Sequence, residues 1–450
     1  MFEKLESVLA PVAEKLTNNK VLLAIRDGFL ISTPLLIVSS IFLLIANFPI
    51  PGYSEFIAQF FGEGWESNLT VVSNATFSMI ALLNVVGIGY AYARQLKVNA
   101  IAGGVLAMVN YMMISPQVHS GYVNADGNPF TGFSFGNLGS AGLFLAMITA
   151  LVSVRIFAYA THKGWVIKLP DGVPPAVMES FAALIPSMLA IVTFFLIRLG
   201  FSLTSFDYAQ DFIYTILQTP LMGLGESFLF QPAYTFFSTM FWFFGINGPA
   251  VTNTVFAPIH TAMTVANLEA FQVGGDLPYI FTSAFSNFFS NYGGGGSTLS
   301  LVILMITTAK SERMRKLGAL SIIPAIFGIN EMIIFGLPIV LNPVIIIPFI
   351  AVPLMNNILS IGATVAGIIP YTSGISLPWT TPIFFSGWLS TGSVFAGFFQ
   401  IGLLILGMLV YYPFFKILDK QYLEDEQQPK TEEKDELDDI SLDDISFDDL

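Results

Sequence analysis

From Gly28 to Phe48 the chain runs 21 residues without a charged side chain. A helix of that length is about 30 Å long, the thickness of a bilayer's hydrocarbon core, so a charge-free apolar run of this kind is read as a transmembrane helix. Further apolar stretches follow at Leu69–Ala93, Asn99–Val118, Leu138–Ala160, Phe181–Leu199, Phe228–Gly245, Ser297–Ala309, Ile333–Met355, part of Asn357–Tyr371, and Ile383–Phe415. Together they predict roughly ten crossings. Several are short or broken by Pro and Gly, and broken segments persist at membrane depth only inside protein or beside a watery cavity. Composition agrees. Of 450 residues, 54% are hydrophobic and 11% charged, with a mean hydropathy of +0.71, against about 25% charged in an ordinary soluble domain. The expected fold is an all-α polytopic membrane protein with re-entrant hairpins.

Charge sets the orientation. Lys4, Lys15, Lys20 and Arg26 precede the first span, Arg94 and Lys97 follow the second, and Arg155, Lys163 and Lys168 follow the fourth. Lys310, Arg313, Arg315 and Lys316 share one loop, and Lys416 and Lys420 follow the last span. The loops Pro49–Asn68 and His119–Gly136 contain neither Lys nor Arg. An excess of basic residues marks cytoplasmic loops, which places both termini in the cytoplasm. Residues 1–27 read as an interfacial amphipathic helix without a signal peptide's basic start and cleavage site. The net charge of −13 is concentrated at the other end, where Glu424 to Leu450 holds 13 acidic and 2 basic residues. That tail, 424–450, repeats "LDDIS LDDIS FDDL", a five-residue period that fits neither helix nor strand, and it is expected to be disordered. Its spaced Leu, Ile and Phe suit docking on a basic partner.

The membrane body divides by texture. Residues 28–205 are regular spans, a scaffold. Residues 206–423 are dense in Gly, Pro and Asn, with "FFGINGPAVTN", "NYGGGGSTLSL", "GINEMIIFGLPIVLNP" and "YTSGISLPWTTP", and no Lys or Arg lies between Arg198 and Lys310. Discontinuous helices of this kind build transporter binding sites. The stretch Asp207–Met222 is helical in period and suits an amphipathic connector. The loop 123–140 has turn chemistry throughout and is either a lining of the outer mouth or only a loop. "GGGG" at 293–296 is not followed by the Lys a phosphate loop needs, and is expected to be a flexible hairpin tip. The chain has no Cys and 3 scattered His. Disulfides, thiolate chemistry and a His/Cys metal site are therefore not expected. No cofactor and no nucleic-acid partner is expected either.

Four stretches together carry a family resemblance: "VPPAVMESFAALIP" at 173–186, "FWFFGING" at 241–248, "GINEMIIFGLPIVLNP" at 328–343 and "LPWTTP" at 377–382. Over residues 1 to about 420 the chain resembles the membrane permease (IIC) component of the phosphoenolpyruvate-dependent sugar phosphotransferase system, in its lactose/cellobiose class. The resemblance implies a homodimer in the bacterial cytoplasmic membrane that imports a β-linked disaccharide of the cellobiose, diacetylchitobiose or lactose type. It also implies that a separate soluble IIB protein, supplied by IIA, carries the phosphoryl group on a cysteine. The chain would bind sugar and present one hydroxyl, with no phosphoryl-carrying residue of its own. An ion-coupled sugar symporter is the alternative, and an intramembrane glycosyl-transfer enzyme a more distant one.

The resemblance also marks residues. Glu331 falls where the family holds the sugar hydroxyl to be phosphorylated. A carboxylate accepts hydroxyl hydrogen bonds strongly, and Asn330 adds a donor and an acceptor; the bland role for Glu331 is a helix-start cap. Trp242 and Trp379 read either as interfacial belt residues or as platforms for the apolar face of a sugar ring, whereas Trp165, near Lys163 and Lys168, reads as belt. Asn247 stands in "GING" where the family pattern has His, so it retains hydrogen bonding but not titration. Met332 stands where a Pro is expected. Glu226 is a candidate ligand on a looser match. His260 reads as a packing residue or, less simply, as a ligand. Glu179, at the start of the fifth span, needs only the helix dipole to explain it.

Overall fold

The structure is a computed structural model that describes residues 11, 15, 18–123, 127–170, 172–337, 339, 342 and 344–427. It is helical throughout, apart from one antiparallel ribbon that pairs Val118–Val123 with Pro129–Thr131. In chain order the principal helices are α1 (Lys20–Ala46), α2 (Ile80–Gln95), α3 (Ala100–Ile114), α4 (Leu143–His162), α5 (Leu184–Ser202), α6 (Phe230–Phe243), α7 (Gly248–Gln272), α8 (Leu299–Thr308), α9 (Glu312–Ile326), α10 (Glu331–Gly336), α11 (Ile346–Val365), α12 (Phe385–Thr391) and α13 (Val394–Gln427).

The first half shows how a membrane chain sorts its faces. Asn19 begins α1, its side-chain oxygen accepting the Val21 and Leu22 amides at 2.9 and 3.2 Å, which supplies two of the donors a helix start leaves open. The inward face of α1 carries Ala24, Gly28, Ser32, Ser39 and Ser40, all buried. The outward face carries Leu30, Ile31, Leu35, Val38, Ile41 and Ile45, all exposed. In water this arrangement would be inverted. In lipid the bulky apolar side chains face the solvent, and small or hydroxylated ones let helices approach. Polar pairs cross the helix contacts: Ser32 Oγ to Asn84 Oδ1 at 2.8 Å between α1 and α2, and Asn110 Nδ2 to Ser153 Oγ at 2.9 Å between α3 and α4.

Among the described residues, six helices are long and apolar enough to cross a membrane: Lys20–Ala46, Glu66–Gln95, Ser140–His162, Val177–Ser202, Ile346–Val365 and Val394–Gln427. Ala100–Ile114 and Leu299–Thr308 are apolar but shorter. The hydropathy-based figure of about ten is larger because a running window averages across breaks. The stretch Asn99–Val118 resolves into fifteen-residue α3 and the start of the ribbon, and Ile333–Met355 holds the end of α10 and the first half of α11.

The second half carries irregular backbone in its interior, at 289–298 and 366–384. Side chains from neighbouring helices satisfy it, as burial without water requires. Gln400 of α13 donates to Phe288 O at 2.7 Å and accepts the Phe384 and Gly387 amides at 2.9 and 3.0 Å. Asn356 of α11 donates to Ser290 O at 3.0 Å. Asn267 of α7 donates to Tyr279 O and Thr372 O at 2.7 and 2.9 Å. The connector expected near 207–222 is helical, with a π-turn at Tyr214–Gln218 between Ala209–Ile213 and Thr219–Gly225.

The chain ends need two remarks. Most of residues 1–19 and all of 428–450 lie outside the described residues, including the repeats of the acidic tail; residues 20–27 form the first two turns of α1. α13 continues to Gln427, so residues 424–427, expected to be disordered with that tail, are instead helical. Glu426 accounts for it: its carboxylate takes the Ser311 hydroxyl at 2.6 Å and the Glu312 and Arg313 amides at 3.0 and 2.8 Å, capping the start of α9.

Candidate functional site

The glycine run expected to be a flexible tip is pinned. Gly293, Gly294 and Gly296 have φ of 75, 89 and 81°, the left-handed region that glycine adopts without strain. A Cβ at Gly294 would lie 2.5 Å from Asn330 Cγ, and one at Gly296 only 2.2 Å from the Phe349 ring. Three side chains hold the turn's carbonyls: Thr298 Oγ1 donates to Gly293 O at 2.6 Å, Asn330 Nδ2 to Gly295 O at 2.7 Å, and Tyr411 OH to Gly296 O at 2.6 Å. Asn330 also donates to Thr298 Oγ1 at 3.1 Å and is 4% exposed. Its amide thus ties the glycine turn to the chain just before α10.

Glu331 begins α10. Its side chain is exposed, and among the described residues it has no hydrogen bond or ion pair. It is the one charged residue in the 99 from Leu317 to Phe415. The helix it opens has six residues and receives no side-chain cap from Asn330. Glu331 therefore does not serve as a helix cap through its own hydrogen bonds; its acceptors stay open.

Two tryptophans reach the same place. Trp242 is 8% exposed at the end of α6, and a Cβ on Gly295 would lie 3.0 Å from its Cδ1 and Nε1. Its Nε1 is buried without a partner. Trp379 is 60% exposed, with its ring 3.5 Å from where a Cβ on Gly328 would stand. Trp242, Asn330, Glu331 and Trp379 thus gather about the glycine turn and Gly328. A cleft of about 30 Å³ opens beside them, lined among others by Asn287, Asn291, Tyr292, Trp379 and Thr381. Asn291 Oδ1 and Tyr292 OH are buried and unpartnered. Buried polar atoms normally find partners, so Trp242 Nε1, Asn291 Oδ1 and Tyr292 OH are one donor, one acceptor and one group of both kinds left open near one cleft. Sequence reasoning missed Asn287, Asn291 and Tyr292. Their signal was two Asn four residues apart running into the glycines.

The other candidates lie apart. His260 is buried at 3% exposure among Phe230, Tyr234 and Phe256. It donates Nε2–H to Gln231 Oε1 at 2.9 Å, and Gln231 Nε2 donates to Ser286 Oγ at 2.9 Å. His260 therefore braces the segment that leads into the cleft, one residue before Asn287. Asn247 caps α7, its side-chain oxygen accepting the Ala250 amide at 3.0 Å, and follows a tight turn in which the Gly245 amide bonds Trp242 O at 3.0 Å. Glu226 is exposed at the end of Thr219–Gly225, and no contact among the described residues joins it to the cluster. Met332 is half exposed on α10. Glu179 accepts a hydrogen bond from Asn99 Nδ2 at 2.8 Å.

Comparisons with known proteins converge. The family model "Phosphotransferase system, EIIC" matches residues 26–353. The "Lichenan permease IIC component" of Bacillus subtilis (strain 168) is 39% identical over 426 residues, covering 94% of each chain. The "PTS system cellobiose-specific EIIC component" of Geobacillus stearothermophilus is 39% identical, covering 95% of this chain and 96% of that one. The crystal structure of "the transporter ChbC, the IIC component from the N,N'-diacetylchitobiose-specific phosphotransferase system" aligns with a TM-score of 0.91 at 40% identity, covering 94% of this chain and 99% of that one.

Proposed function

Because the chain belongs to the phosphotransferase-system EIIC family, we propose that it carries a β-linked disaccharide of the cellobiose or diacetylchitobiose type inward and presents one hydroxyl of it, through Glu331, to a phosphorylated IIB protein. The observation that carries this reading is the Glu331 carboxylate, without a partner among the described residues, next in the chain to Asn330, which is tied to a glycine turn that Trp242 packs against. Each pyranose face is a strip of C–H groups suited to an indole, and each edge is a row of hydroxyls that donate and accept. Glu331 is acceptor-only when ionised and takes hydroxyl protons in charge-assisted bonds. Asn291 Oδ1, Tyr292 OH and Trp242 Nε1 supply the remaining partners, and the free amide donors of Asn247 stand in for the imidazole of the family pattern. In this reading His260 supports the cleft through Gln231 and Ser286 rather than touching sugar, and Glu226 takes no part.

The cleft, about 30 Å³, is far below the roughly 300–1,000 Å³ of small-molecule sites. Every lining residue of the cleft belongs to the second half, so sugar entry requires rearrangement within that half. A carrier of residues 206–423 moving against a scaffold of 28–205 would then take the loaded site across. The phosphoryl group comes from outside, since the chain holds no cysteine. The basic-loop asymmetry supports cytoplasmic termini, and family resemblance supports a homodimer with IIB and IIA as soluble partners. Family membership also favours phosphotransfer over ion-coupled symport. The test is uptake of labelled cellobiose and diacetylchitobiose into inside-out and right-side-out vesicles with the soluble phosphotransferase proteins. Internal sugar is expected as its phosphate and only with phosphoenolpyruvate. Concentration of unmodified sugar, abolished by a protonophore, would overturn the reading.

A further inference from the structure

Glu269 is a carboxylate for which neither the sugar cluster nor the helix ends gives a use. It sits one turn from the end of α7 in the second half, yet both its hydrogen bonds go to the first half. Oε1 accepts the Ser140 amide at 3.2 Å and Oε2 accepts the Ser140 hydroxyl at 2.7 Å. Ser140 begins the 23-residue helix Ser140–His162, so the carboxylate meets the positive end of a long macrodipole. The seat is shaped for it: a Cβ on Gly139 would lie 2.7 Å from Glu269 Oε1. Further contacts cross the same seam: Gln210 and Gln218 of the connector donate to Asn137 O and Ser140 O at 3.1 and 2.9 Å. Gln272 Nε2 donates to Ser73 Oγ at 2.5 Å, and the Ser376 amide donates to Ser40 Oγ at 2.9 Å.

We propose that Glu269 and Ser140 form a latch between the two halves, which holds the arrangement seen here and must release during transport. The inference rests on the reading that residues 206–423 move as a carrier. A charge-assisted pair at a helix start is strong and short-ranged. A small sliding of α7 past Ser140 removes both donors at once, so the contact is made or broken rather than graded. Gln272–Ser73 lies one turn further along α7 and breaks with it. The sugar cluster is built from other residues, so the latch sets which arrangement is populated without touching the ligand.

The chain's lack of cysteine makes the seam directly readable. The first measurement needs no substrate: the rate at which a hydrophilic maleimide labels Ser376→Cys, whose own seam contact runs through its backbone amide, in the detergent-purified chain, with and without Glu269→Gln. Removing the charged acceptor is expected to raise that rate by ~10-fold; equal rates overturn the latch. The second joins Ser140→Cys/Glu269→Cys with a bifunctional maleimide. Equilibrium cellobiose binding should stay within ~3-fold of the unlinked protein while phosphoenolpyruvate-driven uptake falls by at least ~10-fold. Uptake unchanged after linking, or binding lost with it, overturns the proposal. Should the parent chain neither bind disaccharide nor take it up, the proposed function fails, and the labelling rate still decides the latch.

Discussion

A carboxylate with no partner among the described residues has its acceptors open to a ligand, and Glu331 is such a group. Its neighbour Asn330 is the reverse, with both amide protons committed to Gly295 O and Thr298 Oγ1. In the proposed reading Glu331 is the contact residue and Asn330, whose amide is spent inside the protein, the positioning residue, although both looked like ligands in the sequence. Replacing Glu331 by Gln keeps the shape and removes the charge-assisted acceptor, which is worth about 1.5–3 kcal/mol. Equilibrium binding of cellobiose should weaken roughly 10- to 100-fold, with the melting temperature unchanged because no internal bond is lost. A lower melting temperature with intact affinity would return Glu331 to a structural role. What was legible here is the lone charged residue in an apolar run, since charge at membrane depth is costly without a purpose. The glycine turn was not legible: its φ values permit a hinge as well as a fixed turn, and the residues that fix it come from positions 298, 330 and 411. Tertiary partners at such separations leave no local pattern.

At the scale of elements, α13 does more than span. Its C-terminal end folds onto the loop before α9. Asp419, 2% exposed, accepts the Lys310 amide at 2.9 Å and the Ser311 amide at 3.0 Å, with Lys416 Nζ 3.8 Å away. One turn or two further on, Glu426 caps α9 itself. The basic cluster at 310–316, read from sequence only as an orientation signal, is therefore also where two acidic side chains from the last helix dock. Asp419→Ala strips the acceptor from two buried backbone donors, at about 1–3 kcal/mol for each donor left unpaired. The expected result is a clearly lower melting temperature with cellobiose affinity unchanged, because α10 and the cleft are untouched. An unchanged melting temperature would mean water replaces the carboxylate and the clamp contributes little. Helix existence was readable from apolar runs; the caps at Asn19, Asn99 and Ser311 emerge only in the structure. Where α13 stops was not readable, because its last turn is held by bonds to residues more than a hundred positions away.

For the whole molecule, the division into a regular half and an interrupted half follows from the distribution of Gly, Pro and Asn. The seam between them had no sequence signal, since Glu269, Gln272 and Ser376 are ordinary polar residues until their partners are known. The acidic tail belongs to this scale too. Residues 428–450 hold ten acidic and two basic side chains, so removing them takes away most of the net charge while leaving the bonds of Asp419 and Glu426 in place. Two truncations then separate charge from structure. A chain ending at Gln427 should keep its melting temperature and its cellobiose affinity. A chain ending at Leu423 loses Glu426, leaves Ser311, Glu312 and Arg313 without that acceptor, and should melt at a lower temperature, because a helix cap is lost. Any effect of the Gln427 truncation on phosphoryl transfer from the soluble donor should be electrostatic, and so should fade as ionic strength shortens the Debye length to about 8 Å. Melting curves and binding isotherms for the two chains, with phosphotransfer rates at low and moderate salt, make the comparison. If both truncations melt alike, Glu426 does not hold the end of α13. If the Gln427 truncation loses sugar affinity, residues 428–450 act on the membrane body itself, and the separation of tail from carrier is wrong.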